Sequence, residues 1–145
     1  MPSEVDLIPI VSEPALHYPA EKTIIASDLH FGFESEMLRS GIWVPNRSQK
    51  RTERMIKIIK DTGAKRLVLL GDVKHKVPFS NFQERKDLDL FFSKVCKLVE
   101  VSIVPGNHDG GLQNLAPEQV NFYPSEGFIL GGIGLHHGHA WPSKD

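Results

Sequence analysis

The chain has 145 residues, 40% of them apolar and 24% charged, which suits one globular domain with a real core and excludes a disordered or low-complexity chain. Seventeen Lys and Arg against eighteen Asp and Glu leave a net charge of −1 (17 − 18), so no global basic field advertises nucleic-acid binding. One cysteine, Cys96, rules out an intrachain disulfide and fits a reducing compartment.

No N-terminal segment pairs a basic start with an apolar core, and no apolar run approaches the roughly 20 residues of a membrane span. The expectation is a cytoplasmic protein without membrane contact, folded as a single domain over residues 1–145.

At the N-terminus, Leu7 to Val11 and Ala15 to Tyr18 are short apolar pieces broken by Pro9, Pro14 and Pro19, which suits edge strands or a hairpin. Thr23 to Ala26 is a continuous β-branched and apolar run, as in a strand buried on both faces. A loop with Gly32 follows, then a helix from Glu34 to Arg39 that ends at Gly41.

Asn46 suits the cap of a helix from Arg47 to Asp61, whose Met55, Ile56, Ile58 and Ile59 make an apolar stripe. Its Arg47, Lys50, Arg51, Arg54 and Lys57 are expected to form a solvated basic face. Gly63 closes this helix, and Arg66 to Leu70 is the next strand. The spacing predicts a βαβ unit with parallel strands and a right-handed crossover.

Residues 76–84 are expected to form a loop, followed by a helix from about Glu84 to Leu98 that buries Cys96 as a small hydrophobe. Val101 to Val104 is the third strand of the parallel set. Ala116 to Phe122 is short and mixed, and Phe128 to Leu130 with Gly134 to His136 predicts a hairpin about Gly131-Gly132.

The three parallel strands end alike. The first runs into Ser27-Asp28-Leu29-His30, the second into Gly71-Asp72-Val73-Lys74-His75, and the third into Pro105-Gly106-Asn107-His108-Asp109. Ligands sit outside the carboxyl ends of such strands. Asp, Asn and His are hard to borderline donors suited to Mn(II), Fe or Zn(II).

Asp28 and His30, two residues apart, would project to one side of an extended segment. A carboxylate just after a strand, as at Asp72, can bridge two cations, Asn107 offers a carbonyl oxygen, and His137 an imidazole. Two cations about 3.5–4 Å apart would activate a water and clamp a phosphoryl group. His108 beside them could stabilise the transition state or protonate the leaving oxygen, with Asp109 orienting its ring. By alternation, His136 belongs on the outer face of its strand, and His17 at the surface.

The order Asp-x-His, Gly-Asp-x-x-His, Gly-Asn-His-Asp and His-Gly-His resembles the calcineurin-like metallophosphoesterase superfamily, over about Ile24 to Pro142. Gly71-Asp72-Val73-Lys74-His75 with His137-Gly138-His139 looks most like its prokaryotic ICC-like branch, related to the nuclease subunit SbcD and the ligase-associated phosphoesterases. The resemblance implies an α/β fold, a β-sandwich of mixed sheets flanked by helices (αββα). It implies two divalent ions, manganese first, with iron, zinc or nickel as alternatives.

Carried over residue by residue, the resemblance makes Asp28 and His30 ligands of one metal and Asp72 a bridge. Asn107 and His137 would ligate the second metal, His108 would be the catalytic histidine, and Asp109 its support. His75, where the superfamily more often has Asp, and His139 are substrate-side candidates. The implied activity is hydrolysis of a phosphate ester, with a phosphodiester, nucleotide or nucleic acid favoured.

The superfamily's final Gly-His-x-His has no counterpart before Asp145. Part of the second sheet is therefore expected to be missing, leaving an edge that favours association with another copy. The alternative reading is an impaired or incomplete member acting as a binding or assembly module.

Overall fold

The computed structural model describes residues 6–11, 13–31, 33–73, 82–106 and 112–136. Strand β1 (Ile8–Pro9) pairs antiparallel with β2 (Ala15–Tyr18), and β2 antiparallel with β3 (Thr23–Ala26). Pro9, which has no N–H to donate, is tolerated because β1 lies at the sheet edge. From β3 the sheet is parallel, through β4 (Arg66–Leu70) and β5 (Glu100–Val104) to β6 (Asn121–Phe122). The order in space is the order in sequence, one to six.

Among the described residues, helices fill the crossovers: α1 (Phe33–Arg39) and α2 (Ser48–Thr62) between β3 and β4, and α3 (Phe82–Val95) between β4 and β5. Alternation along the strands sorts the core into two. Ile24 and Ala26, Leu67 and Leu69, and Val101 and Ile103 join Met55 and Ile59 of α2 and Leu88, Phe91, Phe92 and Val95 of α3. The residues between them, Ile25 and Val68, join Tyr18, Leu130 and Leu135 in a smaller cluster on the other face. There lies the second sheet, a hairpin of β7 (Phe128–Leu130) and β8 (Ile133–Leu135). The fold is thus a mixed α/β sandwich of helices, a six-stranded sheet and a second small sheet.

Local sequence explains the element ends. Gly63 closes α2 in the left-handed conformation, φ +67°, and its N–H bonds the carbonyl of Ile59 at 3.0 Å. At the other end α2 starts at Ser48, one residue later than expected, and Arg47 in the cap position makes no side-chain capping bond. Asn46 still performs the task from one residue earlier, its Oδ1 accepting the Ser48 N–H at 2.9 Å. Helix α3 begins two residues before Glu84 and ends at Val95, so Cys96 lies just beyond it. Cys96 is half-buried, and desolvation pushes its thiol pKa up against a hydrogen bond with Gln119. Gly131 and Gly132 both have positive φ, +58° and +89°, as a type I′ hairpin turn requires.

Among the described residues no helix is long and apolar enough to cross a membrane.

Candidate metal centre

Strands β3 and β4 are in parallel register, Ala26 opposite Leu69, so both deliver the chain to the same edge of the sheet. Beyond that edge the two loops stay zipped. The N–H of Asp28 bonds the carbonyl of Gly71 at 3.2 Å, that of His30 the carbonyl of Asp72 at 2.9 Å, and that of Phe31 the carbonyl of Val73 at 2.8 Å. Two separate stretches of sequence are thereby held side by side by backbone bonds, which the side chains do not have to provide.

The backbone there is unusual. Four non-glycine residues among those described have positive φ, and three are Asp28 (+58°), His30 (+49°) and Asp72 (+52°). Asp and His are among the side chains that enter this region most readily, at a cost of about 1–2 kcal/mol each. Such strain persists where the surrounding structure over-determines it, and it clusters at functional sites. This corrects the expectation that Asp28 and His30 converge along an extended segment. They converge through two left-handed residues flanking Leu29, and the ladder to 71–73 fixes the turn.

The outcome is a cluster in which one ligand atom from each of Asp28, His30 and Asp72 lies within 4.8 Å of the others. His30 Nε2 is 3.8 Å from Asp28 Oδ1, and Ser27 Oγ donates to Asp28 Oδ2 at 3.2 Å. Ligands about 2 Å from one ion stand roughly 3–4 Å apart, so this spacing needs only a small side-chain adjustment to close on a cation. Asp72 is 7% exposed while Asp28 faces solvent, giving the cluster a buried side and an open side. Two carboxylates and an imidazole form a donor set that fits a hard to borderline divalent ion.

Asn107, His108, Asp109, His137, His75 and His139 lie outside the described residues. The described chain leads up to two of these groups: β5 ends at Val104, opposite Leu70 of β4, and β8 ends at Leu135. His136, expected on an outer face, is half-buried, with Nδ1 enclosed and without a hydrogen-bond partner among the described residues.

Sequence reasoning passed over the groups that brace the cluster. Arg51 is not a solvated member of a basic face, since its side chain is 22% exposed and its guanidinium grips the buried carboxylate of Glu34. It also donates to Ser48 Oγ at 3.3 Å and lies over the Phe31 ring, 5.9 Å from the centroid. Phe31, the residue after His30, is fully buried and packs on Phe91 with ring centroids 5.1 Å apart. The loop that carries Asp28 and His30 is thus anchored in the core one residue beyond His30. Arg51 and Glu34 are seventeen residues apart, and no periodic pattern joins them.

The sequence profile of the calcineurin-like phosphoesterase family matches residues 21–144. The fold is similar to the crystal structure of a nuclease, MPE, of Pseudomonas putida, with TM-score 0.57 and 18% identity. The similarity covers 88% of this chain and 62% of that one, so this chain spans under two thirds of the nuclease's length. A comparison with curated proteins gave no match.

Proposed function

Because the chain belongs to the calcineurin-like phosphoesterase family, we propose that it is a metal-dependent phosphoesterase whose substrate is a phosphodiester of nucleotide or nucleic-acid type. One observation carries the reading: Asp28, His30 and Asp72, from two loops, converge at the strand ends with all three backbones held in the left-handed region. The nuclease character of the structural neighbour supports the choice of a diester.

In this proposal Asp28, His30 and Asp72 would hold one divalent ion, and Asp72, Asn107 and His137 would hold a second. When bound, such ions supply Lewis-acid polarisation of the phosphoryl group and a more acidic water. His108 would be the group that moves the proton to the leaving oxygen, with Asp109 as its support. His75 and His139 would be the substrate-side residues. The ICC-like, SbcD-related branch is the branch proposed, on Gly71-Asp72-x-x-His75 and His137-Gly138-His139. Manganese is the proposed ion, and a reducing cytoplasm, consistent with a lone cysteine, is the proposed location.

Hydrolysis of bis(p-nitrophenyl) phosphate tests this directly. The chain should release nitrophenolate only with a divalent ion, best with Mn(II), and Asp72→Asn should lose on the order of a hundredfold or more in rate. Metal-independent hydrolysis, or none with any divalent ion, would contradict the reading.

A further inference from the structure

A cavity of about 190 Å³ opens beside the metal cluster, between α2 and the ends of β2 and β3. Asp28 is a wall common to the two. The cavity exists because two alanines, Ala15 and Ala26, stand directly opposite each other in the β2–β3 ladder. Elsewhere the same face is filled by leucines and phenylalanines. Leu29, Met55 and Ile58 complete an apolar wall, and Glu13, Asp28, Arg51 and Arg54 supply a charged one. At the rim stands Arg54, with its side chain 60% exposed and Nε 3.6 Å from Glu13 Oε1. Among the described residues no hydrogen bond engages its two Nη groups. Arg51 also lines the cavity, but its guanidinium is committed to Glu34.

We propose that this cavity seats the flat aromatic ring carried by the phosphate ester, with the Arg54 guanidinium closing over the ring. The inference rests on the phosphoesterase reading and specifies its substrate. Size supports it, since a volume of about 150 Å³ is enough for benzene, and Ala15, Ala26, Leu29, Met55 and Ile58 give the ring an apolar wall to lie against. Position supports it too: a ring joined to a phosphate at Asp28 through a few atoms lies within reach of the apolar lining. A guanidinium at the mouth adds cation–π attraction to the ring without requiring a particular pattern of polar groups. The ring is a nucleobase or the aryl group of a simpler ester, which share this chemistry.

The test uses the metal-free chain and probes without phosphate, so that it does not depend on hydrolysis. Uridine and benzyl alcohol are titrated separately while backbone amide NMR shifts are followed. Saturable shifts are expected at Ala15, Ala26, Met55 and Ile58. Ala15→Leu, which fills the space, should weaken them on the order of tenfold or more. Arg54→Met, on the exposed rim, gives a second variant with little bearing on folding and should weaken binding several-fold. Uridine alone shifting these amides would identify a nucleobase seat, and benzyl alcohol alone an aryl seat. No saturable shift with either probe, or shifts unaltered by both substitutions, would overturn the proposal. Ring binding without metal-dependent hydrolysis would instead count against the phosphoesterase reading alone.

Discussion

In the proposed site Asp72 would have to satisfy two demands at once: a carboxylate for a cation, and a backbone at φ +52° directly after Gly71 at +73°. Asn meets the second demand and not the first, whereas a β-branched residue meets neither. Asp72→Asn should therefore unfold in urea within about 1 kcal/mol of the parent chain, while Asp72→Val loses about 1–2 kcal/mol more. Equal stabilities would mean that the left-handed backbone is not enforced. Arg51 makes a different demand on the same region, because its partner Glu34 is buried. Removing one member of a buried pair strands the other, so Arg51→Met should cost about 3 kcal/mol. Adding Glu34→Gln should recover part of that loss, as a double-mutant cycle would reveal. A single-mutant cost below about 0.5 kcal/mol would place the pair among surface ion pairs of negligible worth.

The elements around the site depend on how the hairpin β7–β8 is fastened to the large sheet. Among the described residues it is held by a long-range side-chain bond from Tyr18 Oη to the carbonyl of Gly131, 2.9 Å, across 113 residues of chain. Gly131 sits so close that a Cβ there would be 2.4 Å from the same hydroxyl, on a backbone already at φ +58°. Tyr18→Phe should cost about 1 kcal/mol. Gly131→Ala should cost about 1–2 kcal/mol from the backbone alone, with the overlap added. Both variants should lower hydrogen-exchange protection at Leu130 and Leu135 more than at Leu67 in β4. Uniform loss across the two sheets would show instead that the hairpin does not open separately. The hairpin and the βαβ order were legible because they rest on local signals: glycine pairs, apolar alternation and a capped helix stripe. The Arg51–Glu34 clamp and the Tyr18–Gly131 fastening were not, since each joins residues with no shared local pattern.

At the scale of the whole chain, the candidate site follows from a parallel sheet that brings two loop segments together at one end of its strands. That end could be foreseen from the recurrence of Asp, Asn and His after apolar runs, and Asp28, His30 and Asp72 do meet there. The route by which they meet could not. Alternation along an extended strand predicted the convergence of Asp28 and His30, whereas the loop achieves it with left-handed residues and a backbone ladder to 71–73. Sequence pattern reports side-chain period, but it does not report φ at a non-glycine residue. The cavity behind Asp28 was hidden for a related reason: it arises from the register that sets Ala15 against Ala26, and register is a property of two strands. The central claim, that these three side chains hold a divalent cation, is most directly tested by titrating Mn(II) into the chain and into Asp72→Asn and counting free ion by electron paramagnetic resonance. Saturable binding by the parent chain, lost in Asp72→Asn while the fold is kept, is the expected result. Binding of equal strength in the two proteins, or none in the parent, would contradict it.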